Sequence, residues 1–167
     1  VYTLAITIVT LVKMFTPLGM ELGTVYFGAR FRQNNQPGDQ KGLVYSSLAL
    51  STLNSVFCCL LLWYIAPYLM DDTTALRTAI PAILFWTPLH TLVGLLRAQK
   101  DMKGNAIVYQ LFLPICFLSG ISIVVGMKLD LYSALIAFCF AHSLALILGI
   151  KWSWKHYGVL IKDRSLT

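Results

Sequence analysis

The chain has 167 residues, 57% of them hydrophobic and only 12% charged, with a mean hydropathy of +0.71 and a formal net charge of +6. A water-soluble domain carries about 25% charged residues and gives its helices polar faces, so this composition excludes a soluble all-α domain. Apart from Lys13, the basic residues lie at the ends of long apolar stretches, where they signal membrane topology and call for no nucleic-acid partner.

A bilayer core about 30 Å thick needs roughly 20 apolar residues of helix, and only a helix or a closed barrel satisfies its own backbone there. Five stretches meet that length. They predict an all-α polytopic transmembrane helix bundle with spans at about 1–27, 43–69, 74–96, 105–127 and 131–152. Residues 1–154 then form the bundle and 155–167 a basic cytoplasmic tail.

The first span is apolar except for Lys13 and Glu21. Lys13 falls mid-span, where a lysine is unfavourable by about 2.5–3.5 kcal/mol on insertion scales and needs protein or water around it. Glu21 follows about two turns later, ~12 Å along the axis, on nearly the same face but beyond direct ion-pair reach. These two are the candidate substrate-binding residues; the competing reading pairs each with a polar residue on a further helix. Pro17 and Gly19 predict a kink or local unwinding near Thr16–Gly19.

The second span follows a polar turn at Gln33–Asp39, and Trp63, Tyr64 and Tyr68 mark its outer interface. Asp71, Asp72 and Thr73 offer caps to the third span, which Pro81 and Pro88 should bend. Pro114 interrupts the fourth span. The fifth ends in Lys151-Trp152-Ser153-Trp154-Lys155, a basic and aromatic anchor. Prolines in four of the five spans favour a mobile carrier over a rigid scaffold. Cys58, Cys59, Cys116 and Cys139 lie within spans and read as small buried hydrophobes. His90 and His142 read as packed, hydrogen-bonded polar residues more readily than as proton-relay members. The sequence shows no nucleophile elbow, phosphate loop or metal-ligand spacing, so no catalytic, metal or cofactor residue is assigned and the chain is not read as an enzyme.

The connections alternate in charge. Ten Lys and Arg fall on loops one and three and the tail, against two, Arg77 and Lys128, on the other side. The positive-inside rule places the richer side in the cytoplasm. A cysteine introduced at Asn34 or Lys100 is therefore expected to be shielded from an impermeant thiol reagent in intact cells, and one at Asp72 to be labelled. External labelling at Asn34 would reverse the topology. Five spans with the C-terminus inside put Val1 outside, without a Met, a basic leader or a cleavable signal. The expectation is a fragment that lacks an upstream helix, with a trimmed natural N-out protein as the runner-up.

The run Tyr2-Thr-Leu-Ala-Ile-Thr-Ile-Val, then Pro17-Leu-Gly-Met-Glu and Phe27-Gly-Ala-Arg-Phe-Arg, resembles the second helix and following loop of polysaccharide (O-antigen) flippases. These belong to the multidrug/oligosaccharidyl-lipid/polysaccharide exporter superfamily. Gly38-Asp-Gln-Lys-Gly-Leu, Ala66-Pro-Tyr-Leu and Gly94-Leu-Leu-Arg-Ala-Gln-Lys-Asp-Met are similar to that family's next loops and helix ends, in the same order. The resemblance implies helices two to six of the N-terminal lobe of a 12–14 helix transporter, without helix one and the second lobe. It further implies alternating-access export of a polyprenyl-diphosphate-linked oligosaccharide across a bacterial inner membrane, with Lys13 as the cavity cation. Multidrug exporters and peptidoglycan-precursor flippases share that fold and stay open as alternatives. So does a membrane-embedded glycan acyltransferase, for which His90 and His142 lie too deep to suit catalysis at an interface.

Overall fold

Pro17 has no amide hydrogen, so α1 (Tyr2–Phe15) stops just before it and α2 (Met20–Gln33) restarts just after. Gly19, at φ 75°, supplies the left-handed residue that redirects the chain. These positions come from a computed structural model that describes residues 2–17, 19–69 and 73–162. The break expected near Thr16–Gly19 is present. The Met20 amide bonds back to the Pro17 carbonyl at 2.7 Å, which leaves the Thr16 carbonyl without its usual helical donor. The Asn54 side-chain amide, on α3 (Pro37–Leu69), donates to it instead. Asn54→Ala should therefore lower stability by about 1–2 kcal/mol, read as the unfolding midpoint of the purified protein in detergent. An unchanged midpoint would show that the break holds its own shape.

α3 presents one narrow buried stripe, including Val44, Ser47, Ser51, Ser55, Leu62 and Ala66, at helical spacing. The three serines bond carbonyls three residues back, at 3.2, 3.0 and 2.8 Å, so small side chains face the neighbouring helix without unpaired hydroxyls. Flanking residues such as Leu48, Cys58 and Cys59 are half-buried, and the opposite face is exposed, Trp63, Tyr64 and Tyr68 included.

The third span comprises α4 (Thr73–Ala79) and α5 (Pro81–Ala98), separated at Ile80 by the missing amide of Pro81. Pro88 lies inside α5 without ending it. The caps expected at Asp71 and Asp72 lie outside the described residues. The fourth span runs through the short α6 (Met102–Asn105), a π-helical segment (Ala106–Phe112) and α7 (Leu113–Gly126), with Pro114 in the first turn of α7. The last helix, α8 (Leu131–Lys162), continues past residue 154, so 155–162 extend it. Residues 163–167 of the expected tail lie outside the described residues.

Among the described residues every regular element is a helix, and five spans are long and apolar enough to cross a membrane: Thr3–Gln33, Pro37–Leu69, Thr73–Ala98, Met102–Gly126 and Tyr132–Trp154. This is a multi-pass membrane protein built as an all-α bundle. Its centre is the third span, buried over 72% of its most apolar window, against 6% for the fourth. α5 packs on α2, α3 and α8, while α1 leans on α4 and α7 on α8. The core runs from Val9, Leu76 and Ile83 at one end to Leu89, Val108 and Ala145 further along, with Leu92 and Leu95 against Val44.

Two expectations change in detail. Arg30 and Arg32 belong to the last turn of α2 and Arg97 to the last turn of α5, not to connecting loops. A cation there faces the negative end of the helix dipole, so the helix extends to include it. Trp152, expected as an interface anchor, donates its indole N–H to Asp101 at 2.7 Å, and the other Asp101 oxygen accepts from the Gly104 amide at 2.9 Å. That carboxylate ties the third connection to α8.

Candidate functional site

One face of α5 carries Trp86, His90, Gly94 and Arg97 at spacings of four, four and three, so they form a single column along the helix. Gly94 sets how close α2 comes. A Cβ there would lie 2.3 Å from the Thr24 hydroxyl and 2.8 Å from the Glu21 carbonyl oxygen. α2 thus brings Glu21 between His90 and Arg97. His90 donates from Nδ1 to one Glu21 oxygen at 2.8 Å, and Arg97 donates from Nη1 to the other. The carboxylate also sits in the first turn of α2, at the positive end of that helix.

Lys13 lies one turn further along the same column. Its ammonium is 3.7 Å from the centre of the Trp86 ring and 4.8 Å from that of Phe138. It donates to His142 Nε2 at 3.3 Å, while His142 Nδ1 donates to the Phe138 carbonyl at 2.7 Å. The backbone carbonyl accepts only, which places the imidazole proton on Nδ1 and leaves the Nε2 lone pair for the lysine. Lys13 is 5% exposed, enclosed by α1, α5 and α8. Counted at 1.5 Å per residue, Lys13 and His142 each lie about 16 Å, and Trp86 about 20 Å, from the start of its span. They share one depth, near the middle.

Trp86 joins the two groups, with its ring centre 5.4 Å from His142 and 4.2 Å from His90. Tyr109, midway along the π-helical segment, closes the seam at 5.0 Å from His90 and 5.7 Å from Trp86. Such segments often mark functional positions. His90 Nε2 is buried and has no hydrogen-bond partner among the described residues.

The charges do not balance. Glu21 and Arg97 neutralise each other, whereas among the described residues no carboxylate reaches ion-pair distance of Lys13. The seam therefore holds an uncompensated positive charge on Lys13 at mid-depth. Aromatic faces and an imidazole lone pair stabilise that charge without cancelling it.

Lys13 and Glu21, the two residues singled out in the sequence, do not touch each other. They meet the same column of α5 one turn apart, on Trp86 and His90. Within this chain Glu21 meets His90 and Arg97, and Lys13 meets Trp86, Phe138 and His142. His90 and His142 are packed and hydrogen-bonded, as expected. Trp86, Arg97 and Tyr109 are additional members of the seam. The spacing of His90, Gly94 and Arg97 was the available signal, a titratable and a basic residue flanking a close-approach glycine.

No protein-family profile, curated protein or solved structure matches the chain.

Proposed function

We propose that this bundle is part of a carrier that exports polyprenyl-diphosphate-linked oligosaccharide from the cytoplasmic to the outer leaflet of a bacterial inner membrane. The observation that carries the reading is Lys13, a cation without a counter-ion at mid-depth, seated on Trp86 and Phe138. A charge so placed attracts an anionic group that must pass the bilayer centre, and a diphosphate is such a group. The break at Pro17 and Gly19 supports the same reading. Discontinuous helices at mid-membrane are where carriers place their substrate groups, and this one begins about a turn past Lys13. The sequence resemblance to polysaccharide flippases supplies the substrate class. In this reading the five spans belong to the first lobe of a longer transporter, and rocking of two lobes exposes the cationic seam alternately to each side.

The test is genetic and chemical. Cells depleted of the complete protein should accumulate the lipid-linked oligosaccharide on the cytoplasmic leaflet, shielded from a periplasmic glycan-modifying enzyme, while its synthesis continues. Unchanged accessibility of the glycan would reject the assignment.

A further inference from the structure

At the basic end of the bundle a cleft of about 480 Å³ opens between the last turn of α2 and the turn after α5. Ala29, Arg32 and Gln33 form one wall, Ala98 and Lys100 the other. At its base the two helices touch, because a Cβ on Gly28 would lie 2.7 Å from that of the lining Ala98. The floor is therefore fixed by close helix packing, and the two cations stand above it, Arg32 on the last turn of α2 and Lys100 in the turn after α5. Among the described residues neither Arg32 nor Lys100 forms an ion pair with a carboxylate.

The cleft lies at headgroup level. Tyr26 and Phe27 are exposed on α2 just inward of Arg30 and Arg32, the arrangement of aromatic and then basic side chains that marks a membrane–water boundary. Each cation also lies near the negative end of a helix, Arg32 in the last turn of α2 and Lys100 just past the end of α5. That role would be met by either residue alone, and it makes no use of the space between them. A tetrahedral oxyanion does. The guanidinium fork can take two of its oxygens, the ammonium a third, and the Gln33 amide adds a neutral donor.

The geometry points to a binding site for the phosphate of an anionic lipid headgroup, clamped between Arg32 and Lys100. The site is separate from the Lys13 seam and stands whether or not the chain is a carrier. A cation near the membrane surface contributes about a fivefold change in affinity for anionic lipid.

The full chain, purified in detergent, would be titrated with phosphatidylglycerol and with phosphatidylethanolamine and the bound lipid counted by native mass spectrometry. Wild type should bind phosphatidylglycerol about tenfold or more tightly than phosphatidylethanolamine. Arg32→Gln and Lys100→Gln should each weaken that binding about fivefold, and the pair roughly 25-fold. Lys128→Gln, at the opposite end with the same left-handed backbone (φ 52° against 61° at Lys100), should leave it unchanged. The swap of Arg32→Lys with Lys100→Arg keeps both charges and should bind within about threefold of wild type, which separates lost charge from lost folding. Displacement of the lipid by millimolar glycerol phosphate would make the phosphate alone the sufficient ligand; failure to displace would assign the site to the lipid. Equal binding by wild type and the double glutamine variant, loss in the charge-keeping swap, or an equal loss in Lys128→Gln would overturn the clamp.

Discussion

Gly94→Val is expected to lower the stability of the bundle by about 3 kcal/mol, near the top of the range for an overpacked core. The first added carbon already meets the Glu21 carbonyl oxygen at 2.8 Å, a backbone atom that cannot rotate aside. The Thr24 hydroxyl, 2.3 Å from that carbon, bonds the same carbonyl at 2.8 Å and has its own reason to stay. α2 must therefore move away from α5, which takes Glu21 off His90 and Arg97 as well. Gly23→Val on α2 is the control, since a Cβ there meets nothing within 4 Å; its expected effect is under about 1 kcal/mol. Detergent unfolding midpoints for the two variants should differ widely. Equal midpoints would show that α2 and α5 do not approach as described.

Glu21→Ala should destabilise by about 2 kcal/mol. Removing one member of a buried ion pair commonly costs 3–5 kcal/mol, and roughly that range is reduced here by partial exposure, 22% for the Glu21 side chain and 35% for Arg97. Glu21→Gln keeps an acceptor oxygen and should recover about half of the loss. The sharper test is a double-mutant cycle of Glu21→Ala with Arg97→Ala. A coupling energy above about 1 kcal/mol is expected, and additive effects would remove the contact from the account.

Much of this fold could be read from the sequence because lipid leaves few choices. Once each apolar stretch had to be helical, the five spans and their order followed. The break at Pro17 and Gly19 was equally legible, since a missing amide and a left-handed residue are local facts. The helix ends were less so: apolar length stops near Phe27, but the helix dipole draws Arg30 and Arg32 into one more turn. Lys13 and Glu21 stood out as charges inside a span, yet their partners did not. Pairing Lys13 with His142 and Glu21 with Arg97 depends on how α5 packs between α2 and α8, which no single helix encodes. Trp86 gave no signal, because an aromatic residue in an apolar run reads as core until a cation is found on its face. Tyr109 depends on the wider turn of the π-helical segment, for which the sequence offers no recognised pattern.

Whether Lys13 acts on the substrate is measured by export of lipid-linked oligosaccharide in the complete protein, normalised to folded protein in the membrane. Lys13→Ala should reduce the normalised rate about tenfold or more, at near-normal abundance, because the seam loses its free charge while the packing loses one hydrogen bond, to His142 Nε2. Lys13→Arg should restore part of the rate, since the charge and the aromatic seat are kept although the donor geometry changes. A normalised rate unchanged in Lys13→Ala, or a loss explained wholly by falling abundance, would make the lysine a packing residue and contradict the proposed transport role.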